Sequence, residues 1–404
     1  MPSVPRPLPG RSFDMKDRQM GNSPFGSSGD AGKHAPISTF YRDTAWIEGR
    51  AEDQLAQVAR WPGMAAIAAF PDLHPGRHGP VGAAFLADRI YPQLIGPDIG
   101  CGMALFRLSL PRRRFKADKA ARRIREIEAP FDEKRAQVAL NEAGIAASAG
   151  LTSYGLGTIG GGNHFVEVQA VRDVHLTEEA RSVGLSTGDL CLMVHSGSRG
   201  HGAGIFTELE ASWAEGYQAQ SDEGLRYVAR HDAARSWARL NRQIIAERAA
   251  EALRCDLTLL CDSSHNHLSH TPEGWLHRKG AAEADGTFAP LAGSRDSLSY
   301  LLLVQEGPAE ALASLSHGAG RRYDRASMHG RIPRVKSALQ SMARNSYGGT
   351  IICEDRDLLI EEAGQAYKSS KEVKADLERF GIASAIASLE PLLTFKTGRM
   401  GGAA

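Results

Sequence analysis

Residues 64–79, MAAIAAFPDLHPGRHG, set the pattern of this chain, in which a short apolar run ends in a dense group of polar and turn-forming residues. The pattern returns at residues 94–102 (LIGPDIGCG), 157–165 (GTIGGGNHF), 190–202 (LCLMVHSGSRGHG), 257–267 (LTLLCDSSHNH) and 313–322 (ASLSHGAGRR). Apolar runs of this length bounded by turn residues are typical of β-strands. Each stretch is therefore predicted to be a strand that carries a polar loop at its C-terminal end.

Helices interrupt this pattern without alternating regularly with the strands. Apolar spacing predicts helices over residues 46–61, 116–128, 224–253 and 373–380, and residues 384–396 resemble a further strand. Without a repeated strand–helix–strand unit, we expect an α+β fold with mixed β-sheets in a single large domain over residues 37–404. Residues 1–36 are rich in Pro, Gly and Ser and lack an apolar period, so they are predicted to form a flexible N-terminal extension.

The composition excludes several classes of protein. The 404 residues include 48 Lys and Arg against 47 Asp and Glu, so nucleic-acid binding would have to come from local basic patches. No apolar run approaches the roughly 18 residues of a membrane span, and the first residues lack the apolar segment of a secretory signal. The five Cys form no CxxC pair, which favours a reducing cytoplasm over a disulfide framework.

Several loops of this pattern carry residue types that bind metals or attack phosphorus. Carboxylate, thiolate and imidazole groups together are the ligand set of a borderline metal such as Zn²⁺ or Mn²⁺. A single loop His is more often a hydrogen-bonded surface residue, and a lone Cys is more often a small buried hydrophobe. The joint pattern favours a metal site if the fold gathers these distant residues. They are Asp98, Cys101, His164, His195, His265 and His317.

Residues 317–322, HGAGRR, point to phosphate chemistry. An imidazole beside flexible glycines can attack a phosphorus atom while two guanidinium groups hold phosphate oxygens. A plain turn followed by a solvated basic stretch explains the same pattern equally well. Residues 112–125 and 321–336 are both basic, and each group is either a phosphate-backbone contact or a solvated helix face. The glycine loop at 157–162 has neither the GK[ST] ending of a Walker A motif nor GxGxxG spacing.

The motifs PDLHPG, GPDIGCGM, GTIGGGNHFVEV, HSGSRG, SSHNHL, RKGA and SHGAGRR occur in this order along the chain. Together they resemble the RtcB-type RNA-splicing ligase family, and the resemblance runs from about Trp46 to Lys396. Residues 38–49, 71–85 and 91–103 most resemble the shorter branch of that family, which is encoded beside peptide release factor H.

The resemblance implies an RNA ligase that depends on GTP and Mn²⁺, built on an α+β domain with a central metal and nucleotide cleft. Members join RNA ending in a 2′,3′-cyclic phosphate or a 3′-phosphate to RNA with a 5′-hydroxyl. They guanylylate a His, transfer GMP to the RNA 3′-phosphate, and release GMP when the 5′-hydroxyl attacks. The resemblance further implies a role in RNA repair. Its partners would be RNA, including ribosomal RNA handled in one pathway with a release-factor-like protein, and no membrane.

The resemblance also assigns roles to individual residues of this chain. His317 matches the nucleophile that takes GMP, and Asp98, Cys101, His164, His195 and His265 match the ligands of two Mn²⁺ ions. The GTP-binding residues would be Asn163, Phe165, Glu167, Ser294, Ser299, Ala319, Gly320, Tyr367 and Lys396. The RNA-binding residues would be Asp72, Arg199 and Arg321. Arg199 and Arg321 match residues near the RNA phosphate, and Asp72 matches an acidic residue near the metals.

The sequence departs from the family pattern at four places. Arg295 and Asp296 replace a smaller Met-Gly pair, and His267 lies close enough to a predicted ligand to compete for metal. The stretch 196–264 is short for the family. The chain continues past Lys396 as TGRMGGAA, which makes this residue the least secure assignment. None of these departures removes a predicted metal ligand or the predicted nucleophile.

Two other functions compete with ligation. One is a metal-dependent phosphoesterase that processes RNA ends with the same ions but forms no bond between the enzyme and GMP. The other is a catalytically silent RNA-binding protein, which would retain RNA in the presence of a chelator. Labelling of His317 by GTP separates the ligase from both.

Overall fold

A computed structural model describes residues 11–12, 34–145, 155–209, 215–284 and 286–398 of the chain. The β-strands, in chain order, are β1 Arg11–Ser12, β2 Ile37–Thr39, β3 Met64–His74, β4 Val81–Ala87, β5 Arg89–Ile90, β6 Gly102–Leu108, β7 Phe165–Val174, β8 Leu190–Ser196, β9 Tyr217–Gln218, β10 Leu257–Ser264, β11 Asn266–Thr271, β12 Gly274–Lys279, β13 Ala281–Glu283, β14 Phe288–Leu291, β15 Ser299–Val304, β16 Ser314–Ser316, β17 Thr350–Cys353 and β18 Ala383–Lys396.

The α-helices are α1 Gly49–Val58, α2 Ala117–Ile124, α3 Glu133–Glu142, α4 Thr177–Ser182, α5 Gly200–Leu209, α6 Asp222–Leu253, α7 Arg325–Met328, α8 Lys336–Ser341, α9 Arg356–Glu361 and α10 Ser370–Arg379. Short 3₁₀ turns occur at Pro92–Leu94, Arg112–Arg114, Arg125–Glu128, Ala309–Ala311 and Gly364–Ala366. The four predicted helical regions and the predicted C-terminal strand correspond to α1, α2 with its following turn, α6, α10 and β18.

Two sheets organise the molecule. One has six strands in the order β1-β2-β3-β4-β12-β11, and the other has the order β10-β6-β8-β7-β18-β15-β14 with β17 paired to β18. The pairs β2 with β3 and β17 with β18 are parallel, whereas the central pairs of the second sheet are antiparallel. These mixed sheets, with helices outside any strand–helix–strand repeat, confirm the predicted α+β class.

The long helix α6 packs against β6 and β8 and supports the second sheet from one side. Its N-terminus is capped by the Ser221 hydroxyl, which accepts a hydrogen bond from the Gly224 N–H at 3.1 Å. Leu225 of this helix is 55% exposed despite its apolar side chain, whereas Tyr227 and His231 are buried. The buried residues of the helix include polar side chains, which hydrophobic spacing alone does not reveal.

The prediction that every polar loop follows its strand was wrong for two of the six stretches. Residues 94–102 begin in a 3₁₀ turn and end where β6 starts, and His164 immediately precedes β7. Because β6 and β7 run antiparallel to β8, their first residues lie beside its last ones: Gly102 faces Ser196 and Phe165 faces His195. Loops before β6 and β7 therefore meet the ends of β8 and β10 at one edge of the sheet.

The predicted N-terminal extension is described only in part. Residues 1–10 and 13–33 lie outside the described residues, and Arg11–Ser12 pairs with β2 in the first sheet. The proposed boundary between residues 36 and 37 stays a prediction. Residues 399–404 of the C-terminal continuation also lie outside the described part. Among the described helices, none combines the length and the apolar character that crossing a membrane requires.

Candidate active site

A cavity of about 690 Å³ is lined by residues of both sheets, including His74 and Val81 of the first and Phe165 and Thr394 of the second. Most of the residues predicted from the sequence face this cavity. They are Asp98, Cys101, Asn163, Phe165, Glu167, His195, His265, Ser294, His317, Ala319, Gly320, Arg321, Tyr367 and Lys396. Four predicted residues do not line it: Asp72, His164, Arg199 and Ser299.

The predicted metal ligands gather at the edge of the second sheet. The Cys101 Sγ lies 3.3 Å from His164 Nε2 and 3.2 Å from His195 Nε2, and these three ligand atoms lie within 4.8 Å of one another. The Asp98 carboxylate is 3.0 Å from His164 Nε2. The ring of His265 packs against that of His195 with centroids 5.1 Å apart. All five predicted ligands thus lie in one continuous cluster.

The donor set of this cluster fits divalent metal ions. Ligand atoms bound to one ion through bonds of about 2.0–2.3 Å lie roughly 3 to 4 Å apart, which is the spacing seen around Cys101. The Nδ1 atoms of His164, His195 and His265 are buried and have no hydrogen-bond partner within the described part of the chain. Buried polar atoms are rarely left unpartnered, so each Nδ1 marks a place for a water or another hydrogen-bond partner, which in His164 and His195 lies on a different side of the ring from the Nε2 atom that faces Cys101.

The electrostatics of the cluster favour neutral imidazoles. Burial lowers the pKa values of His195 and His265 well below the ordinary range, so both rings are neutral at physiological pH. Burial also raises the pKa of the Cys101 thiol well above its ordinary value. Burial opposes ionisation of Asp98, but the adjacent His164 lowers its pKa. Neutral rings and a carboxylate are ready to coordinate, whereas the thiol must lose its proton to solvent or a base when it binds a metal ion.

His317 lies next to the metal cluster but is held by a different set of contacts. Its ring packs against that of His265 with centroids 4.4 Å apart. Its Nδ1 is 2.6 Å from the Gly280 carbonyl oxygen and 2.7 Å from an Asp72 carboxylate oxygen. Since both neighbours only accept hydrogen bonds, Nδ1 carries the proton and Nε2 of a neutral ring keeps its lone pair. The structure thus places Asp72 behind His317, fully buried, rather than at the cavity surface.

The turn after His317 allows a close approach that a larger residue would block. Gly320 adopts a φ of +70°, and a Cβ at this position would lie 2.3 Å from the Asp72 backbone oxygen. Only glycine combines this conformation with this contact. The Lys368 Nζ, in turn, donates to the carbonyls of Pro71 and Leu73 on either side of Asp72, at 2.9 and 2.5 Å.

Glu167 is a buried carboxylate in the wall of the cavity on β7. It accepts hydrogen bonds from the Thr394 hydroxyl at 2.5 Å and from the Gln169 amide at 2.7 Å. Burial raises its pKa to about 7, although these two donors and the charge of Lys396 act in the opposite direction. The predicted Ser299 lies behind this wall, where its Oγ accepts from Gln169 and from the Gly293 N–H, each at 3.0 Å.

Sequence analysis missed Glu362, which organises the opposite wall of the cavity. It is buried, accepts from Arg321 at 2.9 Å, lies 3.5 Å from the Lys396 ammonium and accepts a hydrogen bond from the Tyr367 hydroxyl. Burial opposes its ionisation, but the charges of Lys396, Arg321 and Arg325 lower its pKa to about 2. The clue in the sequence was its place in EEAGQAYK, which contains the predicted Tyr367.

The predicted Lys396 faces the cavity, and the predicted Arg residues serve mainly internal contacts. The Lys396 Nζ donates to the His164 carbonyl at 3.1 Å. The Arg321 guanidinium donates to the Glu361 and Tyr323 carbonyls at 2.7 and 3.0 Å in addition to its Glu362 contact. Arg199 approaches Thr158 at 3.4 Å. Among the described residues, none of the basic group 112–125 lines the cavity.

Two departures from the family pattern have local explanations. The His267 Nε2 is bound by Arg278 at 2.9 Å and by Glu283 at 2.8 Å, so this ring is occupied and does not join the metal cluster. Asp296 accepts from the backbone N–H groups of Ser346 and Gly364, at 3.1 and 3.2 Å, and ties two loops together. Its neighbour Arg295 lines the cavity.

Comparisons with known proteins match most of the chain. The profile of a family described as tRNA-splicing ligase RtcB matches residues 54–143 and 132–397. The RNA-splicing ligase RtcB2 of Escherichia coli is 40% identical over 366 residues, which is 89% of this chain and 95% of that protein. The RNA-splicing ligase RtcB of Mycobacterium tuberculosis is 28% identical over 84% of this chain and 99% of its own length. The tRNA-splicing ligase RtcB of Thermococcus kodakarensis is 28% identical over 87% of this chain and 93% of its own.

Proposed function

The chain belongs to the RtcB family and is an RNA ligase, and we propose that it joins RNA ends through a GMP adduct of His317. The ends would be a 2′,3′-cyclic phosphate or 3′-phosphate on one strand and a 5′-hydroxyl on the other. GTP would supply the GMP, and two Mn²⁺ ions would be required. The observation that carries this proposal is the hydrogen bond from His317 Nδ1 to the Gly280 carbonyl, beside a cluster of side chains that could hold a metal ion.

The orientation of His317 suits nucleophilic attack on phosphorus. A carbonyl oxygen only accepts hydrogen bonds, so Nδ1 donates to Gly280 and the free electron pair of a neutral ring is on Nε2, with an Asp72 carboxylate oxygen 2.7 Å from Nδ1. Nε2 would attack the α-phosphorus of GTP, forming an N–P bond as the bond to the pyrophosphate oxygen breaks. The ring becomes positively charged when Nε2 is phosphorylated, and the buried Asp72 carboxylate would stabilise that charge.

The next two steps return the enzyme to its starting state. An oxygen of the RNA 3′-phosphate would attack the phosphorus of the His317 adduct, and the N–P bond would break as GMP moves to the RNA. The 5′-hydroxyl of the second strand would then attack the activated RNA phosphate, releasing GMP and leaving a phosphodiester. Cyclic phosphate ends would first be hydrolysed to 3′-phosphates.

Asp98, Cys101, His164, His195 and His265 would hold the two ions. Bound there, divalent ions supply charge neutralisation and alignment for phosphoryl transfer. The protein's own contribution is a buried cluster with neutral His195 and His265 and with Asp98, whose pKa the adjacent His164 lowers. Imidazole and thiolate ligands together favour Mn²⁺ or Zn²⁺ over Mg²⁺, which prefers oxygen ligands.

The remaining cavity residues would bind GTP and the RNA. Asn163, Phe165, Glu167, Ser294, Ser299, Ala319, Gly320, Tyr367 and Lys396 would form the nucleotide pocket, in which Ser299 acts from behind through Gln169. Asp72, Arg199 and Arg321 would affect RNA binding indirectly, because they position His317 and the walls of the cavity. We further propose that the enzyme repairs RNA in the cytoplasm, with ribosomal RNA and a release-factor-like protein in its pathway. Its five free cysteines agree with a reducing compartment.

The test is labelling of the protein with GTP that carries the label on its α-phosphate. With Mn²⁺, the wild-type protein is expected to retain an acid-labile label, and His317→Ala is expected to retain less than about one hundredth of it. The matched control is His270→Ala, which removes an imidazole outside the cavity lining. A wild-type protein that opens cyclic phosphates without taking label would instead be the metal-dependent phosphoesterase. RNA retention that survives chelation, without label or turnover, would indicate a silent RNA-binding protein.

A further inference from the structure

Five side chains form an aromatic–cation patch next to the cavity, which Arg322 and Tyr323 also line: Trp46, Arg322, Tyr323, Arg331 and Lys368. The Trp46 and Tyr323 rings lie 6.3 Å apart between centroids, with their planes inclined at 63°. The Arg322 guanidinium is 5.7 Å from the Trp46 centroid and 5.4 Å from that of Tyr323. Arg331 lies over Tyr323 at 3.7 Å, and the Lys368 Nζ over Trp46 at 5.8 Å.

The patch is joined to the machinery around His317. Arg322 and Tyr323 follow His317 by five and six residues and line the same cavity. Their backbone N–H groups both donate to the Ala366 carbonyl, at 2.8 and 3.2 Å. Six residues span at most about 20 Å, so the patch lies within a few nucleotides of the nucleophile.

Trp46 is exposed where packing would normally cover such a ring. It is 39% exposed. Every other Trp and Phe side chain within the described ranges of the chain is buried or half-buried. A ring that served only the core would be buried, because a large aromatic side chain gains most of its stabilisation by leaving water. An exposed ring among cations beside a cavity offers a face on which a base can stack while its phosphate meets a guanidinium group.

The charges of the patch are available to such a ligand. In the part of the chain that the structure describes, neither Arg322 nor Arg331 has a carboxylate within ion-pair distance. The neighbouring arginines differ in this respect, since Arg321 pairs with Glu362 and Arg334 with Asp357 at 2.6 Å. Arg321, Arg325 and Arg334 of the basic group 321–336 thus form ion pairs within the fold, whereas Arg322 and Arg331 have no carboxylate counter-ion among the described residues.

We propose that the aromatic–cation patch is a platform for an unpaired stretch of RNA next to the reacting end, with bases stacking on Trp46 and Tyr323 and phosphates facing Arg322 and Arg331. Bases of single-stranded RNA stack on aromatic rings and guanidinium planes, and stacking on a ring tolerates any base. The platform would therefore hold RNA without reading its sequence. This inference rests on the proposed function, because the ligand that the patch receives is taken to be the RNA substrate.

The test measures the affinity of short single-stranded RNA by fluorescence anisotropy, using one oligonucleotide with a 3′-phosphate and one with a 5′-hydroxyl. Trp46→Ala is expected to weaken binding of at least one of them about tenfold, whereas Trp46→Phe keeps a stacking ring and should stay within about threefold of wild type. The control is Tyr347→Ala, which removes another half-buried ring under an arginine, Arg172, at 5.6 Å. The oligonucleotide whose binding falls identifies the strand that the platform holds.

A second measurement separates stacking from a merely structural role of Trp46. If Trp46 stacks on a base, replacing the RNA bases with abasic sites should erase the difference between wild type and Trp46→Ala. Arg331→Ala should lower the slope of log affinity against log salt by about one. Equal affinities of wild type and Trp46→Ala for both intact oligonucleotides would overturn the platform. GTP labelling of the wild-type protein, measured in parallel, reports separately on the proposed ligation chemistry.

Discussion

The two halves of the active site are built in opposite ways. The metal half, comprising Asp98, Cys101, His164, His195 and His265, belongs to the edge of the second sheet, and its imidazole Nδ1 atoms lack partners within the described residues. The nucleophile half, comprising His317, Asp72 and Gly280, draws Asp72 and Gly280 from the first sheet and its end, and His317 Nδ1 is fixed by a backbone carbonyl. The donor atoms of the metal half lie against one another, whereas the proposed nucleophile is oriented by a hydrogen bond to the protein backbone.

The two halves therefore differ in how firmly the protein must hold them before the reaction. A cluster of neutral rings and a thiol can rearrange until ions bind, because few hydrogen bonds hold its donor atoms in place. A nucleophile must instead be oriented before the reaction, since a small misplacement of the attacking atom lowers the rate strongly. We therefore expect changes in the metal half to alter metal content and activity together, and changes in the nucleophile half to alter activity alone.

Cys101→Ala should produce the largest effect, because it removes the side chain nearest to both His164 and His195. Ligation is expected to fall by about a thousandfold or more, with loss of bound Mn²⁺. Elemental analysis of the purified protein and a ligation assay measure the two quantities. The control is Cys191→Ala, at a buried Cys outside the cavity lining. Full metal content in Cys101→Ala would contradict a ligand role for the thiol.

Asp72→Asn should act on the nucleophile half, with a smaller effect. The variant keeps the size of the side chain and the Gly280 contact of His317, but it removes the charge that would stabilise a phosphorylated ring. The rate of His317 labelling by GTP is expected to fall between about tenfold and a hundredfold.

Metal content is the quantity that makes this variant informative. Asp72 touches His317 rather than the cluster, so Asp72→Asn should bind as much Mn²⁺ as the wild-type protein. If the variant lost its metal together with its labelling, the two halves would not be independent, and the contrast between them would be wrong.

The residue types of the metal half were predictable from the sequence, but the position in the fold where these residues come together was not. Asp98, Cys101 and His164 were identified by their chemistry, yet they precede strands rather than follow them. They meet His195 because β6 and β7 run antiparallel to β8. That pairing joins segments up to about ninety residues apart, and local periodicity carries no information about such long-range register.

The nucleophile half shows a second limit of sequence-based prediction. His317 and Asp72 were both predicted, but the acceptor that fixes the tautomer is the backbone carbonyl of Gly280, and a carbonyl leaves no residue-type signal. Glu362 was missed for a related reason, because one Glu in an acidic helix end has no local mark that separates it from a surface residue. The α+β class and the helices followed from patterns short enough to be local.

Glu167 gives the smallest predicted effect and tests whether fixed hydrogen bonds occur on the metal side as well. Its carboxylate lies on β7, three residues after His164, but Thr394 and Gln169 hold it as firmly as Gly280 holds His317. Burial raises its pKa from 4.5 to about 7. The folded protein therefore holds this proton more tightly than the unfolded chain, and stability should fall as pH rises through this window. Glu167→Gln removes this contribution, so from pH 5 to pH 8 its free energy of unfolding should gain about 2 to 3 kcal/mol relative to wild type.

Urea unfolding at both pH values measures the difference, with Glu354→Gln at an exposed carboxylate as the control. The same difference should persist in a chelator, because burial within the protein rather than an ion determines the protonation of Glu167. Parallel stability curves for the two proteins would show that the carboxylate is already ionised in the folded state at pH 5.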